Sequence, residues 1–207
     1  MTMSQTLVAF IAAASILVVT PGLDTTLVLR SATVGGARPA TFAAIGIALG
    51  CLVWGAGVSV GLGALLTAST LAFTTLKWAG AAYLLWVGLR LLLRPREAFE
   101  PVNIRSVQLD CRQSLRQGLL TNLLNPKIGV FYISFLPQFV PPSVNVAGFS
   151  FMLAAIHTLL GLVWFAVLIA ATLPLGRLLR RSRVVTTMDR LAGGVFVLFG
   201  AKLALSN

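Results

Sequence analysis

Charge is what this chain has least of. Of its 207 residues only 10% are charged and five are acidic, where an average soluble domain carries roughly a quarter of charged residues. Histidine is nearly absent, with one copy, and cysteine occurs twice. Hydrolysis needs a nucleophile and base or a set of metal ligands, and a transition-metal path needs several His, Cys or carboxylate ligands together. Neither supply is present, so an enzyme, a metal centre and a cofactor are not expected. Cys51 lies inside an apolar run and Cys111 inside a charged stretch, so a disulfide is not expected and the spacing fits no redox motif. The first 23 residues contain no Lys or Arg. A cleavable signal peptide needs a basic leading segment, so the first apolar run is expected to stay as a membrane span.

What is present is hydrocarbon. Apolar residues make up 57% of the chain and mean hydropathy is +0.93. At roughly 20 residues per span, six spans use about 120 residues, which leaves short loops and a single transmembrane domain over 1–207. The apolar runs are Thr6 to Leu29, Ala40 to Leu66, Leu71 to Leu93, Gln117 to Val140, Val146 to Leu173 and Leu191 to Leu205. The last is the shortest. The fourth and fifth share a 49-residue stretch, Ile128 to Gly176, free of charge, with Pro141, Pro142, Ser143 and Asn145 as its turn.

A net charge of +11 invites a nucleic-acid reading, but the basic residues form no face and no aromatic stacking pattern. They sit in alternate loops: 2 in Arg30 to Arg38, 6 in Arg90 to Arg116, 5 in Arg177 to Arg190, and none near 67–76 or 140–146. By the positive-inside rule those three basic loops are cytoplasmic, which places both termini outside. Membrane lipid is then the surrounding partner, and nucleic acid is not a partner. Glycines from Gly46 to Gly63 in the second run are expected to permit close helix contact or to form a homodimer face.

The third and sixth runs are similar to each other, with Lys77-Trp-Ala-Gly over Arg190-Leu-Ala-Gly and Gly88-Leu-Arg90-Leu over Gly200-Ala-Lys202-Leu. The first and fourth runs are each broken by a proline, in Thr20-Pro21-Gly22 and Asn125-Pro126-Lys127. The chain thus divides into two three-span halves, about 1–93 and 117–207, joined by a loop at about 94–116. Three spans is an odd number, so the second half enters the membrane inverted, the arrangement of many secondary transporters. The expected fold is all-α, six membrane helices as two inverted three-helix repeats.

Proline inside an apolar span frees a carbonyl, which hydrocarbon tolerates only where protein or a wet cavity satisfies it. Thr20 and Asn125 are expected to cap second half-helices that begin at Pro21 and Pro126. Their N-termini would then face one region and favour an anion. Asp24 follows the first break and Lys127 sits at the second, near mid-membrane, where a charge costs at least about 2.5–3.5 kcal/mol unless paired. Asp24 and a substrate carboxylate are the available partners for Lys127. A bland alternative has Asp24 only complementing its own helix dipole and pairing with Lys127 in packing. His157, within the fifth run, either carries a proton or is a hydrogen-bonded interior side chain. Lys77, Arg90, Arg190 and Lys202 lie at span ends, where snorkelling is expected.

The segments Thr20-Pro-Gly-Leu-Asp-Thr-Thr-Leu-Val-Leu-Arg30, Gly118-Leu-Leu-Thr-Asn122-Leu-Leu-Asn125-Pro126-Lys127-Ile-Gly-Val-Phe131, Phe135-Leu-Pro-Gln-Phe-Val140 and Leu191-Ala-Gly-Gly-Val-Phe-Val-Leu-Phe-Gly200 resemble the LysE/RhtB amino-acid exporters. The likeness covers nearly the whole chain; at Leu23 the family usually has a second proline. It implies proton-driven export of an amino acid or close derivative from the bacterial cytoplasm. On this reading Thr20, Pro21, Gly22, Asp24, Asn122, Asn125, Pro126 and Lys127 bind substrate, and Asp24 or His157 couples the proton. A metal-ion or other small-metabolite exporter of related architecture and a passive channel are the alternatives.

Overall fold

Hydrocarbon offers no partner to a backbone N–H or C=O, so a chain crossing it must satisfy those groups within its own segments. The computed structural model describes residues 3–68, 70–95, 110–141, 144–172 and 181–205, and all the elements found there are helical. The first apolar run is α1 (Met3–Val19) and α2 (Leu23–Gly35), set 52° apart at the proline break. Helices α3 (Ala37–Ala68) and α4 (Thr70–Leu93) follow. The fourth run is α5 (Cys111–Leu123) and α6 (Pro126–Val130), the latter continuing through a wide π-type turn at Phe131–Phe135 and a tight 3₁₀ turn at Leu136–Phe139. This second pair is bent by 50°. The chain then forms α7 (Val146–Ala170) and α8 (Ser182–Leu205).

Three helices are long and apolar enough to cross a bilayer, at Ala37–Gly61, Val146–Ala170 and Ser182–Ala201, and counting each bent pair as one span brings the number to five among the described residues. Helix α4 supplies a shorter apolar stretch, Ala81–Leu93. The run that looked shortest in sequence is thus a long helix, because α8 starts at Ser182, ahead of its apolar part. Likewise α5 starts at Cys111 and takes in Arg112 and Arg116. Both segments had been assigned to cytoplasmic loops. Helical hydrogen bonding continues through amphipathic turns that hydropathy alone counts as loop. The remaining loop residues 96–109 and 177–180, and Pro142 and Ser143 of the expected turn, lie outside the described residues. Asn145 of that turn caps α7, its side chain accepting from Gly148 N–H at 2.7 Å.

Helix α3 lies between α5 and α7 and also touches α2, while α4 runs along α8. Small residues set these distances. A Cβ on Gly46 would land on the Leu115 carbonyl, and one on Gly118 on the Ala43 carbonyl, so α3 and α5 meet backbone to backbone. At Gly88 and Gly193 the relation is reciprocal: a Cβ on either would stand 2.8 Å from the other's carbonyl oxygen. Gly57 and Gly61, expected to join such contacts, have nothing within reach. They lie on a face of α3 that these neighbours do not cover.

On one side of the two breaks the interior is filled by aromatic rings. Phe10 of α1 packs on Phe131 and Phe139 with centroids 6.2 and 5.3 Å away, and Phe199 of α8 on Phe135 and Phe139 at 4.4 and 5.1 Å. Pro137 has no N–H for the Ile133 carbonyl, which is where the α6 continuation abandons regular α geometry. The wide turn places Phe131, Tyr132 and Phe135 all inward and buried.

Gly46→Ala should lower the melting temperature of the detergent-solubilised protein, reflecting the about 1–3 kcal/mol usual for overpacking. Gly57→Ala should leave it unchanged. Parallel thermal melts of the two variants check this, and equal losses would contradict the close α3–α5 contact.

Candidate functional site

The two breaks, a hundred residues apart in the chain, meet. Thr20, Gly22, Asn125 and Lys127 stand in the wall of one cavity with Asp24, Thr25, Cys51, His157 and Thr158. The cavity is small, about 40 Å³. The same four residues also line a second, larger space of about 430 Å³ reaching toward α4 and α8.

Chemistry at the first break differs from its expected form. Gly22, not Thr20, is the N-cap of α2, in extended backbone with φ −153° and ψ −168° and no side-chain cap. Pro21 therefore precedes the helix instead of opening it. The Thr20 hydroxyl turns back and donates to the Ile16 carbonyl at 2.6 Å, ending α1 instead of starting α2. Four residues before Pro21 is Leu17, whose carbonyl loses the N–H that a regular helix would supply. The Lys127 ammonium fills that place, donating to Leu17 O at 2.9 Å and to Thr20 O at 2.8 Å. The carbonyl end of α1 is the negative end of its dipole. A cation that its own helix N-terminus disfavours is thus held by the C-terminus of another helix, through backbone carbonyls and not a carboxylate. A Cβ on Gly22 would lie 3.6 Å from Lys127 Nζ, so the α1–α2 linker passes directly beside the ammonium.

The second break is built as expected. Asn125 caps α6, its Oδ1 accepting from Lys127 N–H at 3.1 Å, and Pro126 occupies the first helical position. Pro126 frees the Asn122 carbonyl in the same way, and Asn125 N–H takes it at 3.0 Å.

Asp24 is buried, 8% exposed. Its Oδ2 accepts from Asn122 Nδ2 at 2.9 Å, and the same amide reaches Cys51 Sγ at 3.3 Å. Its Oδ1 is buried without a hydrogen-bond partner. Asn122 is itself wholly buried and fits only because position 50 is glycine, where a Cβ would stand 2.6 Å from the amide oxygen. On the other wall stands His157, and behind it Tyr132 Oη lies 3.1 Å from His157 Nδ1. His157 is hydrogen-bonded in the interior and is part of the cavity wall.

Every expected site residue except Pro21, Asn122 and Pro126 lines the first cavity; Pro21 and Pro126 line the second, and Asn122 acts behind the wall through Asp24. Sequence reasoning missed Cys51, Tyr132 and Thr158. Cys51 follows Gly50 directly and lies one α-turn after Ile47 of the cavity wall, a pattern visible only once the inward face of α3 is known. It also placed Asp189 in a loop, whereas Asp189 is a fully buried residue of α8.

Two broken membrane helices closing round a buried carboxylate and a half-buried ammonium define the class, an all-helical membrane translocator. Residues 15–207 match the LysE type translocators, and the chain belongs to that family. It is 30% identical to the membrane protein YrhP of Bacillus subtilis, over 98% of this chain and 100% of the relative. It is 29% identical to the homoserine/homoserine lactone efflux protein of Salmonella typhimurium (95% of this chain, 94% of the relative). It is also 29% identical to the leucine efflux protein of an Enterobacter species (94% and 93%). No solved structure matches the chain.

Removing the ammonium in Lys127→Ala should leave buried carbonyls unsatisfied and destabilise the protein by about 1–3 kcal/mol. Pro21→Ala restores an N–H within reach of Leu17, so the double variant should lose less than the sum of the single ones. Denaturation of all four proteins in one detergent checks the coupling, and strict additivity would refute it.

Proposed function

We propose that the protein is a secondary transporter that exports an amino acid or close derivative from the bacterial cytoplasm across the inner membrane. Family membership and the efflux activities named for its homoserine and leucine relatives support the class. The observation that carries the site assignment is the buried, unpartnered Oδ1 of Asp24 in a cavity whose wall also holds Lys127. A zwitterion has the matching pair of groups. Its ammonium takes Asp24 Oδ1, and its carboxylate takes Lys127 beside the uncapped N-terminus of α2.

The basic loops face the cytoplasm in this reading and the two three-helix halves are inverted repeats. Gly88 approaches Gly193, and Gly200, the counterpart of Gly88, approaches Ala81 next to Gly80, the counterpart of Gly193, which supports such a two-fold relation. With that orientation both cavities lie on the cytoplasmic side of the breaks and the Phe10, Phe131, Phe135, Phe139 and Phe199 cluster closes the outer side. Loading from the cytoplasm then precedes opening of the aromatic side. Asp24 gives up a proton to the cytoplasm before it takes the substrate ammonium and takes one up from outside as the ammonium leaves, with His157 the other candidate carrier, which couples export to the proton gradient.

Cells carrying the protein, loaded with a mixture of amino acids, should release a subset faster than empty-vector controls, and an uncoupler should abolish the difference. Asp24→Asn and Lys127→Ala should each reduce that release at least about tenfold while membrane insertion stays normal, as expected when a charged partner of the substrate is lost. Wild-type efflux in both variants would refute the site, and uncoupler-insensitive equilibration would favour a channel. Selective release of a divalent metal instead of amino acids would move the substrate class.

A further inference from the structure

The larger cavity has features that export of a small zwitterion leaves unused. Its inner end is the site itself, at Thr20, Asn125 and Lys127, but much of the rest of its lining is apolar: Leu23, Leu84, Val87, Leu91 and Phe196. Leu23 and Trp86, both lining it, are 56% and 55% exposed. In a membrane chain, large apolar side chains exposed close to a mid-membrane helix break face hydrocarbon. The cavity is therefore a groove open sideways to the bilayer between the α2 start and α4. Toward the basic end of α4 stand Arg90 and Arg94, spaced by one turn from Trp86, and the Arg90 guanidinium lies 5.7 Å over the Trp86 ring. Among the described residues the lining contains no carboxylate.

An apolar slot that ends in two guanidinium groups at the membrane surface matches a molecule with an anionic head and a hydrocarbon tail. Basic pockets between membrane helices are the general form of anionic-lipid sites, and guanidinium is the side chain suited to bidentate phosphate contact. We propose that this groove is a site for one anionic phospholipid of the leaflet beside the basic loops. The phosphate lies on Arg90 and Arg94, and an acyl chain runs past Leu91 and Val87 toward Leu23. The chain end then forms a wall of the space next to Lys127, keeping bilayer lipid at large and stray water out of the translocation site. Volume supports this: about 430 Å³ exceeds what a small amino acid fills and suits part of an acyl chain.

The test is native mass spectrometry of the detergent-purified full chain, incubated with phosphatidylglycerol or with phosphatidylcholine of equal chain length. The wild-type protein should keep one phosphatidylglycerol and release phosphatidylcholine. Arg90→Gln with Arg94→Gln should weaken retention about thirty-fold, at roughly one factor of five per basic contact, while Arg90→Lys with Arg94→Lys should keep most of it. Thermal melts of the Gln pair establish that it is folded. Equal retention of both lipids, or unchanged retention in a folded Gln pair, overturns the proposal. Full displacement of the lipid by millimolar inorganic phosphate would make it a free-phosphate site, and disulfide-linked dimers through Leu23→Cys would seat a second copy in the groove; either outcome also overturns it. Lipid retention is read without any transport assay, so its failure is separable from failure of the export reading. Vesicle efflux, if the export reading holds, should rise several-fold on adding phosphatidylglycerol in the wild type and not in the Gln pair.

Discussion

The ammonium of Lys127 on the carbonyls of Leu17 and Thr20 is the contact on which the rest of the interior depends. Pro21 makes an orphan acceptor in the middle of an apolar run, and Lys127 brings a cation to a depth where a bare charge is costly. Each is unfavourable alone, and each supplies what the other lacks. Because the donor and the acceptors come from the two halves of the chain, the contact ties the first break to the second and fixes where the half-helices of both lie.

The carboxylate side follows from that placement. With the breaks together, Asp24 on the first turn of α2 comes against Asn122 on the last turn of α5. One amide then serves two elements, holding Asp24 Oδ2 and touching Cys51 on α3. The glycine at position 50 is the room this arrangement needs. A carboxylate bonded on one oxygen and bare on the other is oriented before any ligand arrives, which lowers the ordering that binding would otherwise require. The aromatic packing on the far side of the breaks gives the interior its asymmetry: polar and hollow on one side, apolar and filled on the other.

Much of this was legible in the chain. Apolar runs and their basic punctuation located the helices, and two prolines in otherwise unbroken hydrocarbon located the bends. Asn125 could be read as a cap because Asn-Pro-Lys places the acceptor, the missing donor and the next N–H in consecutive positions. Thr20 misled for a related reason: a threonine can cap forward or bond back to the preceding turn, and Gly22, free to stay extended, let the helix start later. The starts of α5 and α8 were misplaced because arginine on one face of a helix does not interrupt its hydrogen bonding, although it does interrupt a hydropathy run.

What the sequence determined by itself was the inventory: which segments must be helical, where the backbone must break, and which few charges have to be satisfied in hydrocarbon. Tertiary structure decided the partners. A carbonyl freed by proline carries no side-chain label, so nothing in the local chain announces that Leu17 will receive Lys127 from more than a hundred residues away. The same holds for Cys51 and Tyr132, which read as apolar filler until packing turns Cys51 of α3 toward the polar cavity and sets Tyr132 behind His157 of its wall. Local pattern sets what a segment needs; only the meeting of segments sets which group supplies it.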